Sequence, residues 1–332
     1  MAKTIALIVT YGNHEKQLKI VLSKTLINSR VNHIFIVNNH SDYDLVQRIA
    51  DISNPKVTLI SLPTNTGSAG GFGRGVREVY KYSNDLNDRL LILDDDSYTE
   101  LTALDKIDQY EKRFKLSKPV WSLNRLKIGE TARRDASKVD HLYSYYNNSF
   151  YRFSVTNKIF PGRYTLSKID PNLTLMPTAP YSGLILSMSV IKDIGFPNEK
   201  MYLYSDDIEF TFRISQSGYK IWRPYDANIR DIIGSWFDSQ EINVHDAYFQ
   251  SNEVNYRALY MYRNEAYLAK FLFRKNLFLS FINEIFWYAN LIFRHMPKTR
   301  KGLLYFQILN TAVRKGQEGE LGRSKNILKY MH

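Results

Sequence analysis

The chain has 332 residues, 44% apolar and 23% charged, a balance suited to a soluble globular protein with one large domain or a domain plus an appendage. It contains no cysteine, which excludes disulfides, thiolate metal sites and a cysteine nucleophile. Net charge is +12; between Leu291 and His332 nine Lys/Arg face two Asp/Glu, so that stretch carries +7. Such an excess attracts anionic partners: phosphorylated substrates, acidic lipid headgroups or nucleic acid.

The opening MAKTIALIVTYG is too short an apolar run for a spanning helix, and the GNHEKQ after it does not resemble a cleavage region. A cytoplasmic chain is expected. Residues 4–10, 33–38, 57–62 and 89–93 read as strands, because they are short apolar runs rich in β-branched residues. Helical spans at about 14–29 and 72–84 alternate with them, as in a parallel α/β layer with both faces covered. Ligands of such sheets bind beyond the carboxyl ends of the strands. The polar motifs fall there: Thr10-Tyr11-Gly12-Asn13, Asn38-Asn39-His40-Ser41-Asp42, Thr64-Asn65-Thr66-Gly67 and Asp94-Asp95-Asp96.

Residues 101–114 read as a further helix. The stretch 117–170 is aromatic, basic and polar, with Tyr143, Tyr145, Tyr146, Phe150, Tyr151 and Phe153 close together. Two readings stand for it: irregular strands and loops around an acceptor cleft, or aromatic packing at a mixed sheet edge. A helix is expected from Asp206 to Ser217, with Gly218 as its C-cap, then an extended segment at 219–223. Beyond residue 245 the texture becomes helical, at 255–274 and 277–294. The most apolar piece, Ile285 to Phe293, falls far short of the ~20 residues that cross a bilayer. Its aromatics and the nearby Lys/Arg suit either a membrane interface or a buried helix pair capped by a basic tail. The expected domains are 1–245 and 246–332.

Three motifs carry chemistry. Asp94-Asp95-Asp96 closes the strand Leu90-Leu91-Ile92-Leu93, and two such carboxylates with a diphosphate hold a hard divalent ion. The stretch Gly67-Ser68-Ala69-Gly70-Gly71-Phe72-Gly73-Arg74-Gly75 permits close backbone approach, but lacks the Lys-Ser/Thr of a nucleotide-binding loop. Arg74 and Arg77 are expected near the start of the next helix, where amides and guanidinium groups meet phosphates. Ser205-Asp206-Asp207-Ile208-Glu209 opens a helix; capping accounts for Asp206 and Glu209 but not for Asp207, a candidate to deprotonate a hydroxyl.

In the order and spacing of these motifs, residues 4–240 resemble the inverting family-2 glycosyltransferases, and within that group the bacterial galactofuranosyltransferases. The resemblance implies an α/β GT-A nucleotide-sugar-binding fold, with a Rossmann-like central sheet and a helical C-terminal extension. It implies transfer of galactofuranose from UDP-galactofuranose to a glycan or lipid-linked glycan, in cell-envelope polysaccharide biosynthesis, with Mn2+ or Mg2+. By the same resemblance Thr10, Tyr11 and Asp42 line the nucleoside pocket, and Asn65, Arg74 and Asp95 serve the rest of the donor. Asp94 and Asp96 face the metal. Asp207 is the base, Asp206 or Glu209 orients the acceptor, and Trp236 stacks on sugar or acceptor. Where the family often has a metal-binding histidine this chain has Asp231; His245 is the other candidate for a third ligand. The alternatives are a dTDP-rhamnose-dependent transferase and a non-catalytic module binding an anionic surface or nucleic acid. Peripheral association with the inner face of the plasma membrane is expected through the C-terminal helices.

Overall fold

The computed structural model describes residues 2–130, 147–160, 168–232 and 244–329. Its strands are β1 (Thr4–Gly12), β2 (His33–Ser41), β3 (Val57–Ser61), β4 (Arg89–Asp94), β5 (Ser97–Thr99), β6 (Val120–Ser122), β7 (Asn124–Leu126), β8 (Lys168–Asp170), β9 (Leu173–Met176), β10 (Leu184–Ser187), β11 (Ile221–Pro224) and β12 (Asn228–Asp231). Its helices are α1 (Glu15–Leu26), α2 (Leu45–Ile52), α3 (Gly67–Tyr82), α4 (Ala103–Phe114), α5 (Val155–Ile159), α6 (Met188–Ile194), α7 (Asp206–Gln216), α8 (Val244–Gln250), α9 (Tyr256–Leu268), α10 (Leu277–Asn290), α11 (Arg300–Glu318) and α12 (Lys325–Leu328). The chain divides into two compact units, one of residues 1–143, 166–198 and 207–235, the other of 144–165, 199–206 and 236–332.

In the first unit, described residues form a nine-stranded sheet in the order β3-β2-β1-β4-β10-β6-β11-β9-β8 and a three-stranded sheet in the order β5-β12-β7. The strands β3, β2, β1 and β4 are parallel. Ile5, Ala6, Leu7 and Ile8 of β1 are fully buried because helices cover both faces of this layer. From β10 onward the sheet is mixed: β10 runs antiparallel to both β4 and β6, and β9 antiparallel to β11. A Rossmann-like sheet therefore describes less than half of the strands present.

Helix α3 begins at Gly67, five residues earlier than its sequence suggests, so the glycine-rich stretch is helix and not loop. Gly71 and Gly75 face the sheet. A Cβ on Gly75 would lie 2.4 Å from Leu7 Cδ1, and one on Gly71 would lie 2.7 Å from Val9 Cγ1. Their absence lets the helix axis approach β1 more closely than side chains allow.

The second unit is helical, with its own core around Tyr260, Tyr262, Trp287, Leu291 and Leu309. It is not a C-terminal extension alone, because residues 144–165 and 199–206 fold with it. Gly316 permits the contact of α11 with α9: a Cβ there would fall 1.9 Å from the Arg263 carbonyl oxygen. No helix among the described residues is long and apolar enough to cross a membrane.

Candidate active site

The strand ends of the parallel layer carry the polar motifs of the first unit. Register sets Thr10 opposite Asn38 and Gly12 opposite Ser41, and the Asp42 amide donates to the Gly12 carbonyl (3.0 Å). Gly12 has φ +55°, a conformation open to glycine, at the turn where Tyr11 and Asp42 come together. Thr10 is fully buried, whereas Tyr11 is partly exposed. Asn39 fixes the next motif: its carbonyl oxygen accepts from the Thr66 amide and hydroxyl (2.9 Å each), and its amide donates to the Gly67 carbonyl (2.9 Å). Asn65 turns its own oxygen to the Gly67 amide (2.8 Å). Arg74 sits well inside α3, not at its start, exposed and paired with Glu78 one turn on (3.1 Å).

The aspartate triplet lies at the end of β4, where Asp94 is in register with Val9. Its members have different surroundings. Asp95 is buried and accepts His14 Nδ1 at 3.0–3.1 Å; His14 in turn packs against the Tyr11 ring. Burial first, and then the neighbouring Asp96 carboxylate, push the Asp94 carboxyl up to about 7. Asp95 and Asp207 add to this effect, and Arg125 opposes it. Burial likewise raises Asp96 to about 6, against the pull of Arg125. The buried Oδ1 of Asp96 has no hydrogen-bond partner among the described residues. Two crowded carboxyls that hold protons abnormally tightly have the donor chemistry for a divalent ion, which replaces the proton as counter-charge.

Behind the triplet, β12 pairs with β5 so that Asp231 stands opposite Ser97, and the Ile232 amide donates to the Asp96 carbonyl (2.8 Å). Register thus brings Asp231 beside the triplet, but Arg125 Nε spans both its carboxylate oxygens at 2.7 and 2.9 Å. Arg230 binds Glu100 (2.7 Å), and Arg223 reaches Ser122 Oγ (3.1 Å). The other expected third ligand, His245, belongs to the second unit. Its Nδ1 meets the Tyr262 hydroxyl at 2.7 Å among Tyr151, Trp287 and His295, and burial lowers it to about 4, so it is neutral near pH 7. No group of three or more His, Asp or Glu side chains poised to hold a metal occurs among the described residues. Asp94 and Asp96 fit a cation that takes its remaining ligands from a diphosphate and water; a third protein ligand from Asp231 or His245 does not fit these contacts.

Asp207 opens α7 and is half-buried. Thr211 secures this turn, donating to the carbonyls of Asp207 (2.7 Å) and Ala179 (3.2 Å). The influence of Asp207 on Asp94 makes it an electrostatic neighbour of the triplet. Glu209 is held at two points by Arg213 (2.8 and 3.1 Å), which also donates to the Ile194 and Phe196 carbonyls. A role for Glu209 in orienting an acceptor would require breaking that pair. Asp206 is buried and belongs to the second unit; Trp236 lies outside the described residues.

The segment leading to Asp207 is unusual. Tyr202, Tyr204 and Ser205 all have φ between +60° and +65°, at a cost of about 1–3 kcal/mol for each such residue. They are held from α9, where Asn264 Nδ2 contacts the carbonyl oxygens of Met201 (2.9 Å), Leu203 (2.9 Å) and Tyr204 (2.7 Å). Sequence reasoning missed this asparagine, together with His14 and Arg125, and gave Asn39 no role of its own within its motif. His14 adjoins one polar motif and Asn39 lies within another, so position was a signal for them; Arg125 and Asn264 had none.

Compared with known proteins, the chain matches no family model and no curated protein sequence. It does match solved structures. It is similar to residues 1–349 of S. aureus TarS, with a TM-score of 0.52 at 14% identity, covering 95% of this chain and 80% of that one. It is also similar to GalNAc-T7 crystallised with UDP, GalNAc and Mn2+, with a TM-score of 0.51 at 9% identity, over 79% of this chain but 48% of that one. The same TarS fragment in complex with UDP-GlcNAc gives a TM-score of 0.49 at 16% identity, over 96% and 83%.

At these identities the likeness shows a fold, and it corrects the one expected from sequence. The shared architecture runs through 95% of this chain, both units included, and is that of TarS 1–349. It replaces the expected galactofuranosyltransferase-like GT-A domain with an appended helical tail. The galactofuranose donor and its rhamnose alternative fall with that expectation. The galactofuranose donor rested on the glycine-rich stretch, where Gly71 and Gly75 serve instead to seat α3 on β1.

Proposed function

We propose that this chain is a glycosyltransferase taking a UDP-activated sugar, with a UDP-N-acetylhexosamine as the first donor class to test. The observation that carries the reading is the placement of Asp94 and Asp96 at and just beyond the carboxyl end of the parallel strand β4, with Asp207 near enough to raise the Asp94 carboxyl. The fold shared with TarS and GalNAc-T7 supports it. Thr10, Tyr11 and Asp42 contact the nucleoside; Asn39 and Asn65 shape the turn beside it. Asp94 and Asp96 would hold a divalent cation, which would supply counter-charge to the diphosphate. Asp207 accepts the proton of an acceptor hydroxyl as that oxygen attacks the anomeric carbon; the bond from that carbon to the diphosphate breaks, and UDP leaves. A single displacement of this kind inverts the anomeric centre. His14 holds Asp95, and Arg125 holds Asp231, so neither carboxylate competes for the cation.

Release of UDP from a panel of UDP-sugars, with and without acceptors, tests the reading. Asp207→Asn is expected to lower turnover about 10²- to 10⁴-fold while UDP binding persists. Unchanged turnover removes Asp207 from the reaction.

A second observation bears on where the acceptor is met. Helix α10 presents Leu277 and Phe278 at 70% exposure and Phe281 at 59%, and Phe293 just beyond it is 81% exposed. Arg274, Lys275, Arg294 and Lys298, all exposed, flank this stretch in the sequence. An apolar helix face bordered by cations suits an anionic bilayer surface, where a lipid-linked glycan acceptor resides. Full-length protein is expected to sediment with anionic vesicles, and less so after Phe278→Ser and Phe281→Ser together. Equal recovery of both proteins in the supernatant would sink this placement.

A further inference from the structure

We infer that Asn264, braced by Arg263, is a positioning residue that fixes the strained segment from which the proposed base Asp207 emerges. The inference rests on Asp207 being that base. Asn264 is fully buried on α9, and its one amide group faces three backbone carbonyls, those of Met201, Leu203 and Tyr204. A carboxamide nitrogen has two hydrogens, so one of them is shared. Arg263 completes the arrangement: Nε donates to the Asn264 side-chain oxygen (2.9 Å), one terminal nitrogen donates to the Met201 carbonyl (2.9 Å), and the other to the Gly322 carbonyl (2.6 Å). Glu265, next along α9, accepts the Ser205 hydroxyl at 3.0 Å. Three consecutive polar residues of a buried helix thus hold the backbone of residues 201–204 and the side chain of Ser205.

The geometry points to orientation of the helix start at Asp206 and Asp207, to which this segment joins directly. Three non-glycine residues in the left-handed region do not stay there unless their surroundings over-determine them. Carbonyls satisfied by water would let the segment relax toward extended backbone and carry the two aspartates with it. Charged and amide side chains buried to this degree are costly to keep in a helix that could carry apolar residues instead. Here they supply the donors that those carbonyls need. Residues proposed to hold the donor lie on other elements, so loosening the segment touches transfer and not donor binding.

The test uses the full-length protein with Asn264→Asp, Asn264→Ala, Ser205→Ala and Asp207→Asn. Asn264→Asp keeps the shape and replaces the donor with an acceptor facing three carbonyls. Turnover is read as UDP release per folded molecule, UDP affinity by calorimetry, and local order by deuterium uptake of peptides over 199–208. Asn264→Asp and Asn264→Ala are expected to lower kcat about 10- to 100-fold, with UDP affinity held and uptake raised over 199–208 but not over β1 and β4. Ser205→Ala should show the same pattern more weakly, and covers the case in which the Asn264 variants do not fold. If the variants fold with wild-type kcat and uptake, or if kcat falls only in proportion to folded protein, the positioning role is overturned. Asp207→Asn separates the two claims. An active Asp207→Asn removes the base whatever Asn264 does; an inactive one beside fully active Asn264 variants keeps the base and removes the brace.

Discussion

Asp94 and Asp96 occupy one tripeptide with Asp95, yet each of the three carboxylates has a different task set by its neighbours. Asp95 has a histidine, whereas Asp94 feels Asp96, and Asp96 feels Asp95 and Asp231, with the fixed charge of Arg125 acting on both. Cation binding should feel this difference. Protons leave this pair only as the pH climbs through about 6 to about 7, in two steps that belong to the pair and not to either residue. A cation must displace them, so Mn2+ affinity is expected to weaken about tenfold or more on going from about pH 7.5 to about pH 5.5. With two protein carboxylates and no third ligand, affinity should also rise when UDP is present. Titration of the protein with Mn2+, with and without UDP at both pH values, checks both trends. The sign for stability is opposite to that of an ordinary salt-bridged aspartate. Without cation, these raised carboxyls favour the folded state most at acid pH, and that contribution fades as pH rises through their folded values. The triplet and the Asp206-Asp207 pair each have a bland explanation when read alone, a solvated turn or a helix cap; they were visible in the sequence through their order and spacing with the other polar motifs. Arg125 was not visible, since its partner Asp231 is brought to it only by strand pairing across a separation of 106 residues.

At the scale of elements, the four parallel strands were legible, because strands buried on both faces write themselves as apolar β-branched runs. The three-residue strands β5, β6 and β7 were not; nothing so short has a period. The start of α3 was misplaced for a different reason. Glycine clusters signal loops on average, and here tertiary packing overrides that signal by using the missing side chains as contact surface. The same device recurs between α9 and α11. At Gly316 the obstacle to a methyl group is the Arg263 carbonyl, a backbone atom that cannot step aside. Gly316→Ala is therefore expected to destabilise the protein by about 3 kcal/mol, read as a lower urea midpoint. An unchanged midpoint would mean that the two helices are not packed this closely. Because the displaced atom belongs to Arg263, turnover should fall as well.

For the whole molecule, the sequence suggested a cut near residue 245, since composition and periodicity change there. The two compact units are not divided by one cut. Residues 199–206 lie within the stretch assigned to the first domain, yet fold with the helices that come after it. Long-range membership of this kind is written in contacts, such as those of Asn264 with Met201, Leu203 and Tyr204, and leaves no local pattern to read. A chain shortened to residues 1–245 is expected to lose turnover altogether and to expose residues 199–206 to proteolysis. Activity assays and limited proteolysis of that fragment check both expectations. Full activity would show the C-terminal helices to be a detachable appendage.

The glycine-seated helix α3 also bears on the order of events in folding. Gly70, Gly71, Gly73 and Gly75 within one helix cost on the order of 3–4 kcal/mol in intrinsic helix propensity relative to alanine. Such a segment does not nucleate alone; it becomes helical only when β1 and β2 are already present to receive it. Substitutions on the exposed side of α3 should chiefly change the rate of unfolding and leave the rate of folding nearly untouched.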